Sequence, residues 1–229
     1  MDQESSCTYI TDCGSGGPHG AIKERALDNR PSICFGKGGV VNLDVVFGRF
    51  PELETGRLGL RELRSGDAES LFAVLGNEDV TEFYDDEVFG DISQASEQIE
   101  AWAAGFRARR CIRWGITQRE SGKVIGTCGY YGFHSWHKRA GIGYELARSF
   151  WQQGIMTEAL GAIIEFGFKS IELNRIEAVV MPENEGSVRL LDGLGFRQEG
   201  VLREYENWGD KGCVDLMMFS LLRREYEGG

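Results

Sequence analysis

Between Gly143 and Leu160 the sequence reads Gly-Tyr-Glu-Leu-Ala-Arg-Ser-Phe-Trp-Gln-Gln-Gly-Ile-Met-Thr-Glu-Ala-Leu, a pattern suited to holding a phosphate. A strand ends, a short loop carrying Gly154 follows, and a helix begins. The first amides of a helix lack internal partners and lie at the positive end of its dipole. An open loop leading into them is a natural pyrophosphate site. Gly154 has no Cβ, so a phosphate could come close to the backbone there. The loop is neither a Walker loop, which needs Gly-Lys-Ser/Thr, nor GxGxxG, and a single glycine before a helix is equally an ordinary turn. A second stretch, Leu173 to Phe196, feeds a strand into a helix with Asn184 at the junction and Gly195 at the far end. Read alone, these two are an N-cap and a left-handed C-terminal residue.

The elements that must position these residues follow an irregular order. Arg57 to Leu63 alternates like a strand. Ser65-Gly66-Asp67-Ala68 opens a helix with Ala68, Leu71, Phe72 and Leu75 at helical period. A second helix runs from Ser93 to Arg110, with Ile99, Trp102, Ala103 and Phe106 on one face. Ile112–Thr117 and Val124–Phe133 flank a turn and read as a hairpin. A short strand from Gly141 to Ala147, a helix from Ile155 to Ser170, a strand from Arg175 to Val180, a helix from Glu185 to Leu194 and two closing strands complete the chain. Such an order predicts an α+β or α/β fold.

Composition narrows the function. The 229 residues hold 25 Lys and Arg against 36 Asp and Glu, a net charge of −11. Nucleic acid is thereby disfavoured, because its affinity comes from basic groups on phosphates. An acidic surface suits cationic partners, amines included. No apolar run approaches the roughly 20 residues that span a bilayer, and the acidic start resembles no signal peptide, so no membrane association and a cytoplasmic location are expected. The six cysteines (Cys7, Cys13, Cys34, Cys111, Cys128, Cys213) contain no CxxC pair and read as free thiols. Cys7, Cys13, His19 and Cys34 match no zinc spacing, so no metal is expected. Residues 1–50 carry eight of the 32 glycines and read as a loop-rich extension, with Val40 to Phe47 β-prone. A domain from 51 to 229 follows.

Taken together and in order, the two stretches resemble the GNAT superfamily of acyl-CoA-dependent N-acetyltransferases, nearest the branch with ribosomal-protein N-terminal acetyltransferases. The resemblance runs over about residues 54–223. It is carried by Arg57-Leu58-Gly59-Leu60-Arg61, Ile125-Gly126-Thr127, Gly141-Ile142-Gly143-Tyr144, Trp151 to Ala159, Asn174-Arg175-Ile176, Asn184-x-x-Ser187 and Leu194-Gly195-Phe196. It implies a mixed, mostly antiparallel central sheet flanked by helices and splayed between its fourth and fifth strands, with acetyl-CoA in the gap. The Leu146 amide would bind the thioester carbonyl, an oxyanion role. Amides of Gln152, Gln153, Gly154, Ile155, Met156 and Thr157 would hold the pyrophosphate. Asn184 would meet the pantetheine arm or nearby backbone, and Ser187 would sit beside the sulfur.

Two departures stand out. Trp151 and Met156 replace the commoner residues at the ends of the phosphate loop. Many relatives also carry a tyrosine seven residues after the asparagine, as proton donor to the thiolate. Leu191 fills that slot here, leaving Ser187, another hydroxyl or water.

The implied reaction is direct attack of a neutral primary amine on the thioester, with a protein N-terminus or a small amine as acceptor. Amines are largely protonated near neutral pH, so a carboxylate or water chain must take a proton. Glu145 is one candidate, its side chain opposite to that of Leu146, and the alternative for it is a solvated strand residue. Glu204 and Glu206, near the sixth strand, are the others. His134 and His137 flank Trp136 in a turn and are candidates for substrate contact or plain surface residues. A non-catalytic acyl-CoA-binding module is the alternative function. The extension would cover a sheet edge or pack on a second subunit in a homodimer.

Overall fold

The computed structural model describes residues 46–84, 87–208 and 211–228. Its strands are β1 (Leu53–Glu54), β2 (Leu58–Glu62), β3 (Cys111–Gln118), β4 (Val124–His134), β5 (Arg139–Leu146), β6 (Arg175–Val180), β7 (Arg197–Asn207) and β8 (Cys213–Leu222). Between them run α1 (Ala68–Leu75), α2 (Glu78–Thr81), α3 (Ile92–Arg107), α4 (Ile155–Lys169), α5 (Glu185–Gly193) and α6 (Arg223–Tyr226). The strands form one sheet in the order β1-β2-β3-β4-β5-β6-β8-β7. Every neighbouring pair is antiparallel except β5 and β6, which run parallel. The expected element order and α+β class are those observed. The short β1, α2 and α6 were not foreseen, since two to four residues carry no readable period.

Local chemistry sets the helix ends. The Asp91 side chain accepts from the Ser93 amide at 2.8 Å, and Gln94 accepts from the Asp91 amide at 3.0 Å. This capping box starts α3 at Ile92 rather than Ser93. Helix α4 packs unusually close to the sheet. A Cβ at Gly167 would stand 2.1 Å from the Tyr130 hydroxyl, which donates to the Ile163 carbonyl at 2.7 Å. Only glycine leaves room for that bond.

The period-two alternation of the central strands divides the core in two. Ile112, Trp114, Ile116, Ile142 and Tyr144 bury on one face with Ile155, Leu160 and Ile163 of α4. Cys111 and Val124 bury on the other with Leu71, Val74, Ile99 and Trp102 of α1 and α3. Val46 and Phe47 are helical rather than extended, and residues 40–45 lie outside the described ones. Phe47 stacks on Phe106 and Phe133, and Phe50 on Phe106 and Trp114, with centroids 4.9–6.0 Å apart. Packing against these rings overrides the intrinsic β preference of Val and Phe.

The sheet opens at its middle. Strands β5 and β6 pair only at Arg139↔Arg175, Ala140↔Ile176 and Gly141↔Glu177. Beyond Gly141, β5 continues beside β4 as far as Leu146, while β6 continues beside β8 as far as Val180. The facing edges of Ile142–Leu146 and Ala178–Val180 therefore leave each other.

Candidate active site

The end of β5 presents an amide to this gap. The Ala147 amide donates to the Ile125 carbonyl of β4 at 2.8 Å. Successive amides of a strand point to opposite edges, so the Leu146 N–H points away from β4, toward the side from which β6 has diverged.

The chain then enters the loop before α4. Gln152 and Gly154 both adopt left-handed backbone, φ +61° and +67°. Gly154 is the N-cap of α4. The Glu158 amide makes the first helical bond, to the Gly154 carbonyl at 3.1 Å, so the amides of Ile155, Met156 and Thr157 precede the ladder. Trp151 locks the loop to the strand: its Nε1–H donates to the Leu146 carbonyl at 2.8 Å, and Arg148 lies over its ring at 4.3 Å. Arg57 braces the other side. Its Nε–H donates to Glu158 Oε2 at 2.6 Å, its NH1 to the Gln153 carbonyl at 2.9 Å, and Thr55 donates to Glu158 Oε1 at 2.5 Å. Burial pushes the Glu158 carboxyl upward, but these donors outweigh it and hold it below the ordinary value.

Across the gap, Asn184 and Ser187 are fully buried. The Asn184 side chain accepts from the Ser187 amide at 3.1 Å, the capping expected from sequence. The Tyr144 hydroxyl of β5 reaches over to the Ser187 Oγ at 3.3 Å.

The three candidate carboxylates differ sharply. Glu145 is fully buried on the opposite face from Tyr144, ion-paired with Arg113, and accepts from Thr127 and, at 2.5 Å, from the Tyr84 hydroxyl. Arg113 Nε–H also donates to Thr127 at 2.7 Å. Burial alone would depress the Arg113 guanidinium, but Glu145 beside it raises it above the ordinary value. Glu204 is exposed with φ +49°, in a bulge where its amide donates to Asp215. Glu206 is half-buried, and desolvation raises its carboxyl despite a bond from Trp208 Nε1 at 3.3 Å. Trp208 is itself buried in one apolar cluster with Val179 of β6 and Leu216 of β8, and Glu206 lies on β7, opposite Val214 of β8. Lys211 donates to the Glu82 carbonyl at 2.7 Å, tying this hairpin to the segment that carries Tyr84.

His134 and His137, with ring centroids 6.0 Å apart, occupy the turn at the opposite end of β5 from Leu146. That separation is roughly 20 Å along the strand, so they take no part in the gap. No cluster of metal ligands occurs among the described residues. Cys111 and Cys128 are buried, and burial pushes the Cys128 thiol up to about 12. Cys7, Cys13, His19 and Cys34 lie outside the described residues. A cavity of about 660 Å³ borders the Ala147–Phe150 stretch on its α1 side, and Leu146 and Ser187 are not among its lining residues.

Residues 57–197 match the acetyltransferase (GNAT) domain family. The chain belongs to the GNAT acetyltransferase family. Across 156 residues it is 44% identical to the uncharacterised N-acetyltransferase YoaA of Bacillus subtilis, covering 68% of this chain and 88% of that one. It is 41% identical over 176 residues to the uncharacterised N-acetyltransferase p20 of Bacillus licheniformis, covering 77% and 98%. Among solved structures, Mycobacterium smegmatis RimJ in complex with CoA-disulfide superposes with TM-score 0.64 at 26% identity, covering 75% of this chain and 89% of RimJ. The GNAT assignment makes the chain an acetyltransferase enzyme with a gap of the family's kind between β5 and β6. Sequence reading did not find Arg57–Glu158, Arg113–Glu145 or Tyr144–Ser187 as pairs; the first and the third had a signal, since both residues of each lie inside quoted motifs, whereas Arg113 lies in none.

Proposed function

We propose that this GNAT enzyme transfers an acetyl group from acetyl-CoA to a primary amine, a protein N-terminus or a small molecule. The observation that carries the reading is the Leu146 N–H aimed into the space between β5 and β6. A donor at that point would stabilise the oxyanion formed when an amine adds to a thioester, a contribution typically worth about 10²–10³ in rate. The left-handed turn at Gln152 and Gly154 and the free amides of α4 suit a pyrophosphate, and the CoA ligand of RimJ supports the same use. Asn184 would hold the entry to α5 beside the pantetheine arm, and Ser187 would stand at the sulfur.

We assign the amine's proton to Glu206, which is half-buried beside Trp208, where partial burial makes a carboxylate a stronger base than an exposed one. Glu204 is the exposed alternative one bulge away. Glu145 acts instead by position: a proton placed on it would strand Arg113 as an unpaired buried cation. The net charge of −11 favours a cationic acceptor. The test is purified full-length chain with acetyl-CoA and a panel of N-terminal peptides and small amines, followed by release of CoA thiol. Turnover with a primary amine supports the proposal; acetyl-CoA binding without turnover on any of them overturns it.

A further inference from the structure

Ser187 lies in the first turn of α5, fully buried, and Leu191 four residues on is fully buried in the apolar core. The helix therefore brings a serine but no phenol to the gap. The strand opposite does bring one. Tyr144 is 2% exposed and its hydroxyl donates to Ser187 Oγ at 3.3 Å. A phenol in this place comes from β5, two residues before the amide aimed at the carbonyl, and its rigid ring is held by the same sheet.

We propose that Tyr144 is the positioning residue for protonation of the leaving thiolate, acting through Ser187. The inference rests on the reading of Ser187 as the residue beside the sulfur. When the tetrahedral intermediate collapses, the C–S bond breaks and its electron pair goes to sulfur. The Ser187 hydroxyl gives its proton to that sulfur and takes the phenolic proton of Tyr144. Water returns a proton to the phenolate after the products leave. A serine acting alone would end as an alkoxide. A phenol is far more acidic than an aliphatic hydroxyl, so handing the negative charge on to Tyr144 costs far less than leaving it on Ser187. At rest, the Tyr144 bond polarises the Ser187 hydroxyl and makes it a better donor toward sulfur.

The experiment compares full-length wild type, Tyr144→Phe, Ser187→Ala and the double variant. Three quantities are read: acetyl-CoA Kd, kcat with an amine accepted in the panel above, and the pKa of bound CoA thiol from thiolate absorbance. Tyr144→Phe is expected to keep Kd within about twofold and lower kcat about 100-fold, the low end for a general acid. It should also raise the pKa of the bound thiol, and the double variant should match Ser187→Ala, since the phenol works only through the serine. Fluorotyrosine at position 144 keeps the packing and acidifies the phenol, and should lower the bound thiol pKa. If Ser187→Ala lowers kcat and shifts the thiol while Tyr144→Phe does neither, the role of Tyr144 is overturned and that of Ser187 stands. If neither variant moves kcat or the thiol, the reading of Ser187 itself fails.

Discussion

Arg113 reaches past β4 to close on Glu145 of β5, with the two side chains 5% and 0% exposed. Thr127 of the intervening strand bonds to both, and Tyr84 closes the pair from above. A buried pair of this kind is a poor source of net stability, but breaking one side of it is costly. Its place matters because Glu145 immediately precedes the Leu146 amide. The pair pins the strand end from which that amide points.

Glu145→Gln should therefore destabilise the fold by about 3–5 kcal/mol, because it leaves Arg113 buried and uncompensated. Arg113→Met combined with Glu145→Leu should recover most of this in urea unfolding. Turnover of Glu145→Gln should fall by a factor that does not change with pH. A loss that shrinks as pH rises would instead make Glu145 the proton acceptor.

Glu206→Gln should behave in the opposite way. Turnover near neutral pH should drop about 10²–10⁴-fold, with the deficit shrinking as free amine becomes abundant at higher pH. Stability should rise slightly. A carboxyl whose folded pKa is raised costs the native state stability as pH climbs from the ordinary 4.5 through the folded value. Removing the charge removes that cost at neutral pH. Glu204→Gln serves as the control, and a tenfold or larger loss there would transfer the role.

At the loop, Gly154→Asp should raise the acetyl-CoA Kd about 100-fold or more, equivalent to about 2.7 kcal/mol. It places a carboxylate against a pyrophosphate and forces a side chain into φ +67°. Gln152→Ala and Gln153→Ala should change Kd by less than about threefold, since the proposed contact is through backbone amides. Isothermal titration reads all three, and an unchanged Gly154→Asp would remove the loop from the cofactor site.

The N-terminal boundary is also testable. A truncation starting at Val46 should bind acetyl-CoA and melt like the full chain. One starting at Pro51 loses buried Val46 and the rings of Phe47 and Phe50, and should be destabilised by about 3–5 kcal/mol. Equal thermal unfolding of the two would show that the rings contribute nothing to the core.

Much of this molecule is legible in local sequence. The 3.6-residue period of α3 and α4, the alternation of β3 to β5, the capping by Asn184, the turn at Gly154 and the left-handed glycine at 195 are near-neighbour effects. They suffice for the element order, and the spacing of the motifs suffices for the family resemblance. The chemistry of individual side chains is not local. Alternation shows that Glu145 opposes Leu146, but not that Arg113, 32 residues away, and Tyr84, 61 residues away, would bury it. Glu158 looks like a first-turn helix glutamate until Arg57, 101 residues distant, brings its guanidinium to it. Tyr144 looks like a core aromatic until α5 carries Ser187 against it from 43 residues on. A strand's period decides which face a residue takes. Which face is sealed, charged or open depends on elements folded onto it from far along the chain, and only their packing decides that.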